Sequence, residues 1–143
     1  MARIGMIGLG NMGLPMAGNL VKKGHAVKGF DLAKANLDGA VQRGVKAATS
    51  AADAASDVDC VLTMLPAGKD TLAVYDKAGT LKAATKGTLF VDCSTIDVAS
   101  ARAAHELAKG AGMLSLDAPV SGGVTGAEAA TLTLMIGGSK AAF

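Results

Sequence analysis

A chain of 143 residues is long enough to fold as one domain around a buried core. Its 14 basic and 12 acidic residues leave a net charge of +2, and it has three Phe, one Tyr and no Trp. Interspersed charges and few stacking rings argue against a nucleic-acid surface, and no unbroken apolar run approaches the roughly 18 residues of a membrane span. The expectation is a soluble, cytoplasmic protein. Cys60 and Cys93 lie far apart, each inside an apolar run, and are expected to be free buried thiols in a reducing compartment.

The apolar pattern alternates along the chain. Arg3–Ile7 reads as a strand and residues 12–23 have helical spacing. Ala26–Phe30 is the second strand, and a helical pattern over 32–44 stops at Gly44. Residues 45–48 form a third short strand, and 50–56 a short helix with Ser50 at its cap. A strand over 58–64 precedes helices over 68–77 and 79–84. Strand, helix and strand follow at 88–92, 98–109 and 113–116, and the last strand is expected at 132–136. Continuous apolar strands such as "CVLTML" require cover on both faces. The pattern therefore predicts one α/β domain over residues 1–143, a doubly wound, mostly parallel sheet of the Rossmann type.

Directly after the first strand stand Gly8, Leu9, Gly10, Asn11, Met12 and Gly13, the spacing G-x-G-x-x-G between a strand and a helix. Each glycine has its own reason. Gly8 permits the tight turn, Gly10 lets a pyrophosphate approach the backbone, and Gly13 lets the helix pack on the strand. Pro15 falls within or just after the first helical turn, where a missing N–H costs little. Asp31 closes the second strand. It can accept hydrogen bonds from a ribose and would repel a 2′-phosphate, which favours NAD over NADP; it can equally cap the next helix. Lys34 lies close enough in sequence to soften that exclusion.

In an open parallel sheet the ligand crevice lies at the carboxyl ends of the strands. At those ends stand Met64-Leu65-Pro66, Cys93-Ser94-Thr95-Ile96-Asp97, and Asp117-Ala118-Pro119 leading into Val120-Ser121-Gly122-Gly123. Each has an alternative as a breaker, a helix cap or a flexible turn. His25 falls at the opposite edge and His105 within a helix, so neither is expected as a general base. No cluster of His, Cys, Asp and Glu suggests a metal.

Taken together, "GLGNMGLPM", "MLP", "DCSTID" and "DAPVSGG" resemble the β-hydroxyacid dehydrogenase family along the whole chain. The resemblance implies that the turn from Gly8 to Gly13 holds the pyrophosphate of NAD, with Asp31 and Leu32 at the adenosine ribose. It implies that Met64, Leu65, Pro66 and Thr95 flank the nicotinamide. It also implies that Ser121, Gly122 and Gly123 bind the carboxylate of a small substrate, a β-hydroxy acid oxidised by hydride transfer. Four residues after Pro66 the family often carries Asn, where this chain has Asp70. The family's catalytic lysine is expected beyond Phe143, in a helical second domain, because Lys140 comes too early. The 143 residues are thus expected to bind NAD with little or no turnover, and the full-length protein to be a homo-oligomer. A non-catalytic NAD-binding module stays open.

Overall fold

The computed structural model describes all 143 residues. Five strands run parallel: β1 (Arg3–Ile7), β2 (Ala26–Phe30), β4 (Cys60–Thr63), β5 (Leu89–Asp92) and β6 (Leu114–Asp117). The short β3 (Lys46–Ala47) extends one side in parallel, and β9 (Gly137–Gly138) closes the other, antiparallel to β6. The order is β3-β2-β1-β4-β5-β6-β9. The order reverses between β1 and β4, where two adjacent crossovers leave to opposite sides and open a crevice.

Helices α1 (Gly13–Lys22) and α2 (Lys34–Gln42) cover one face of the sheet. There Ile4, Met6, Val27 and Val45 pack with Ala17 and Ala40. The other face carries α3 (Ala51–Ala55), α4 (Gly68–Tyr75), α5 (Thr80–Ala83) and α6 (Val98–Gly110). Its core joins Ile7, Val61 and Phe90 to Ala54, Ala104 and Ala108. Alanine-rich helices allow close approach: a Cβ on Gly5 would collide with the Ala54 carbonyl. The ring of Phe90 meets Tyr75 edge-on at 5.2 Å between centroids, the geometry that aromatic quadrupoles favour. Ser50 caps α3 by accepting from the Asp53 N–H at 3.0 Å, and Asp97 caps α6 by accepting from the Ser100 N–H at 2.9 Å. No helix is long and apolar enough to cross a membrane.

The chain departs from the sequence expectation at its end. No strand spans 132–136. Instead β8 (Thr133–Leu134) pairs antiparallel with β7 (Val120–Ser121) as a separate ribbon, and β9 follows. Between the ribbon strands runs a helix, α7 (Gly123–Ala129), where only a glycine-rich loop was expected. It packs on α1, where the Asn19 side-chain amide donates to the Ala127 carbonyl at 2.6 Å, and meets the end of α2, where Arg43 reaches both oxygens of Glu128 at 3.2 Å.

Candidate functional site

The parallel register aligns Phe30, Ile7, Thr63, Asp92 and Asp117 as one row across the sheet. All the candidate loops leave from this carboxyl edge. Over β1, β2 and β4 they enclose a cleft of about 870 Å³, within the range typical of small-molecule sites.

The glycine-rich turn forms its floor. Gly8 has φ +96°, and a Cβ there would strike the Met64 carbonyl. Gly13 is equally constrained, since its Cβ would strike the carbonyl of Gly8. Gly10 differs: a Cβ there would meet nothing within 4 Å. The fold needs Gly8 and Gly13, whereas the space above Gly10 is left for something else. Gly13 is itself the first residue of α1, and no side chain caps that end of the helix. Its leading N–H groups carry the positive end of the helix dipole. Gly10, Asn11 and Met12 line the cleft with Gly13. Leu9 does not; its side chain is fully buried in the core, and its link to the site is the N–H it gives to Asp31.

Asp31 joins two loops. One carboxylate oxygen accepts from the Leu9 N–H at 2.8 Å and the other from the Ala33 N–H at 2.7 Å. The helix-cap alternative is not the arrangement found: the N-cap of α2 is Ala33, without a side-chain bond. Each carboxylate oxygen has a second lone pair, so Asp31 can still face a hydroxyl from the cleft that it lines. Lys34 forms an ion pair with Asp38 at 2.7 Å, one helical turn on. Leu32 is almost wholly exposed at the rim.

Met64, Leu65 and Pro66 form the wall opposite Asp31. Behind them stands a buried polar chain through Thr63, Asp92 and Ser94, whose hydrogen bonds to the wall no local sequence pattern announces. The Thr63 hydroxyl donates to Asp92 Oδ1 at 2.8 Å, and the Ser94 N–H donates to the same oxygen at 3.1 Å. The Leu65 N–H donates to Ser94 Oγ at 2.8 Å. A second wall is the face Asp70, Ala73, Val74 and Lys77 of α4 and the turn after it. The resemblance marks Asp70 alone; the i, i+3, i+4, i+7 spacing of the others is legible, but nothing in it turns them toward a ligand.

Thr95 lies outside the cleft, exposed after β5, and Ser121, Gly122 and Gly123 lie outside it, exposed where β7 enters α7. Gly122 has φ +132° and Gly123 has φ +62°, left-handed conformations that few side chains adopt. A Cβ on Gly123 would meet open space.

Electrostatics narrows the chemistry. Burial pushes both thiols, Cys60 and Cys93, up to about 12, so neither is a thiolate near neutral pH. Asp117 is held above the usual carboxylate range, first by burial and then by the charge of Asp92 beside it. The Ser100 hydrogen bonds hold Asp97 below that range, as suits a cap. His25 is engaged by the N-terminal strand, where the Ala2 N–H donates to its Nδ1 at 3.1 Å. No three His, Cys, Asp or Glu side chains gather as a metal site.

The family model of the NAD-binding domain of 6-phosphogluconate dehydrogenase matches residues 3–143. This chain belongs to the β-hydroxyacid dehydrogenase family, as its NAD-binding part. Within that family it is 51% identical over 140 residues to a probable 3-hydroxyisobutyrate dehydrogenase of Mycobacterium bovis, covering 98% of this chain and 47% of that one. It is 48% identical to an NAD-dependent L-serine dehydrogenase of Pseudomonas aeruginosa, over 99% of this chain and 48% of the relative. Among solved structures it is similar to the Mycobacterium tuberculosis 3-hydroxyisobutyrate dehydrogenase with L-serine. That likeness has a TM-score of 0.96 at 51% identity, over 99% of this chain and 48% of the other. The chain thus spans about half the length of these relatives.

Proposed function

We propose that this chain is the NAD-binding half of an enzyme that oxidises 3-hydroxyisobutyrate to methylmalonate semialdehyde in valine catabolism. The observation that carries the reading is the cleft over β1, β2 and β4, where open space above Gly10 faces the uncapped end of α1 and lies beside Asp31. In this reading the backbone of the turn holds the pyrophosphate, and Asp31 accepts from the adenosine ribose beside Leu32. A 2′-phosphate would meet that carboxylate, and Lys34 is already paired with Asp38. NAD is therefore favoured over NADP.

Bound NAD supplies the hydride acceptor for the carbinol carbon of the substrate. Met64, Leu65 and Pro66 shield one side of the reacting face from water, and Thr95 orients it. Ser121 with the backbone of Gly122 and Gly123 holds the substrate carboxylate, in a segment where side chains would obstruct it. The hydroxyl proton leaves to a lysine expected beyond Phe143, in a helical domain that completes the site and the homo-oligomer. Two free, inert thiols suit a cytoplasmic protein.

Calorimetric titration of this chain with NAD and NADP tests the cofactor half. NAD is expected to bind at least about tenfold tighter, a difference within reach of one charged contact. Equal binding of both would remove Asp31 as the discriminator, and no binding would remove the site. The 48% identity to an L-serine dehydrogenase favours a second substrate reading, another β-hydroxy acid. A panel including 3-hydroxyisobutyrate and L-serine, run on a full-length form, decides by kcat/KM. Absence of turnover across the panel would favour a non-catalytic NAD-binding module.

A further inference from the structure

Among the residues of the carboxyl edge, Ser94 is completely buried and lines no part of the cleft. It nevertheless joins the two loops on either side of it. The backbone ladder between β4 and β5 ends with the Cys93 N–H on the Thr63 carbonyl at 2.8 Å. The Met64 N–H faces the other neighbour and continues the β1–β4 ladder, to the Ile7 carbonyl at 3.0 Å. The next amide on the β5 side is that of Leu65, and it needs another partner. Pro66 has no N–H. The Leu65 N–H goes to Ser94 Oγ at 2.8 Å, and Ser94 is itself anchored through its own N–H on Asp92 Oδ1. One hydroxyl thus replaces a rung of the ladder and fixes the wall of the cleft against the base of the Thr95 loop.

We infer that Ser94 is a positioning residue for the cofactor, holding Leu65 and Pro66 in place through the Leu65 amide; this rests on the dinucleotide reading of the cleft. A dinucleotide straddles the switch point between β1 and β4. Asp31 stands on the β2 side of that point, while Leu65, Pro66 and Thr95 stand on the β4 and β5 side. Ser94 therefore acts on one half of the ligand. Loosening its loop weakens the contact of the nicotinamide half and leaves the adenosine half untouched.

The test is a titration of wild-type, Ser94→Ala and Ser94→Cys chains with NAD and, separately, with ADP, together with hydrogen exchange at the Leu65 amide. Ser94→Ala is expected to weaken NAD about tenfold, as for a buried N–H left without its partner, with ADP affinity unchanged and Leu65 exchange faster. Ser94→Cys, of similar size but a weaker acceptor, falls between and carries the comparison if the alanine variant does not fold. Three results overturn the assignment: unchanged NAD affinity in Ser94→Ala, proportional loss of NAD and ADP, or unchanged exchange at Leu65. A wild-type chain that binds neither ligand sinks the dinucleotide reading itself, and the role of Ser94 with it.

Discussion

Three glycines in one hexapeptide do different work, and substitution separates them. Gly10→Ala adds a methyl group where no protein atom lies within 4 Å. It is expected to leave the unfolding midpoint unchanged while weakening NAD about tenfold or more, since the methyl enters the space of the pyrophosphate. Gly13→Ala drives its methyl into the Gly8 carbonyl and is expected to cost about 1–3 kcal/mol by urea denaturation. An unchanged NAD affinity in Gly10→Ala would mean that the turn is only a turn. Asp117 makes a second prediction at this scale. Its carboxyl is held above the usual range by burial and by Asp92, so the folded state disfavours its ionised form. That penalty is absent below the ordinary carboxylate value of about 3.9 and grows as pH rises through the raised folded value. Asp117→Asn is therefore expected to raise the melting temperature at neutral pH, with the gain vanishing toward low pH. A gain that grows on acidification would reverse the assigned cause.

At the scale of elements, the β5 strand contributes one of the largest fully buried side chains. Phe90 is fully buried and meets Tyr75 edge-on. Phe90→Ala is expected to cost about 3–5 kcal/mol in chemical denaturation, a large share of the stability of a domain this size. Its neighbours explain why much of the fold was legible. Arg3–Ile7 and Ala26–Phe30 lie where their apolar runs place them. The cap at Ser50 is read from residue type alone. The misses also have causes. Gly122 and Gly123 disguise the start of α7 as a loop, because glycine is read as punctuation when it is a backbone conformation that the turn demands. Alternation over 132–136 suggests a strand without naming a partner; only Thr133–Leu134 pairs, in the β7 ribbon, and the edge of the main sheet is taken by Gly137–Gly138 beyond the segment. The link from Ser94 to Leu65 crosses 29 residues, and no local pattern announces such a bond. Of the candidate site, the place of the turn and of Asp31 in the cleft was readable, because a glycine turn between strand and helix and an acid closing the next strand fall at the same sheet edge.

At the scale of the whole molecule, parallel register divides the domain into two unequal ends. The row from Phe30 to Asp117 puts every loop of the cleft at one edge. The opposite edge holds reversals such as Gly24 and Gly87, both at positive φ with nothing near a would-be side chain. The two edges have different freedom to lengthen. A short insertion of Ser and Gly after Gly87 is expected to leave folding and NAD affinity close to those of the parent chain, because surface turns absorb added residues at small entropic cost. The same insertion after Gly10 displaces the start of α1 and is expected to abolish binding. Titration of the two insertion variants checks this, and loss of binding in the Gly87 variant would show that the far edge is coupled to the cleft. If the asymmetry holds, one rim of this domain is open to grafted loops, tags or fused partners, and the other has almost no latitude in length.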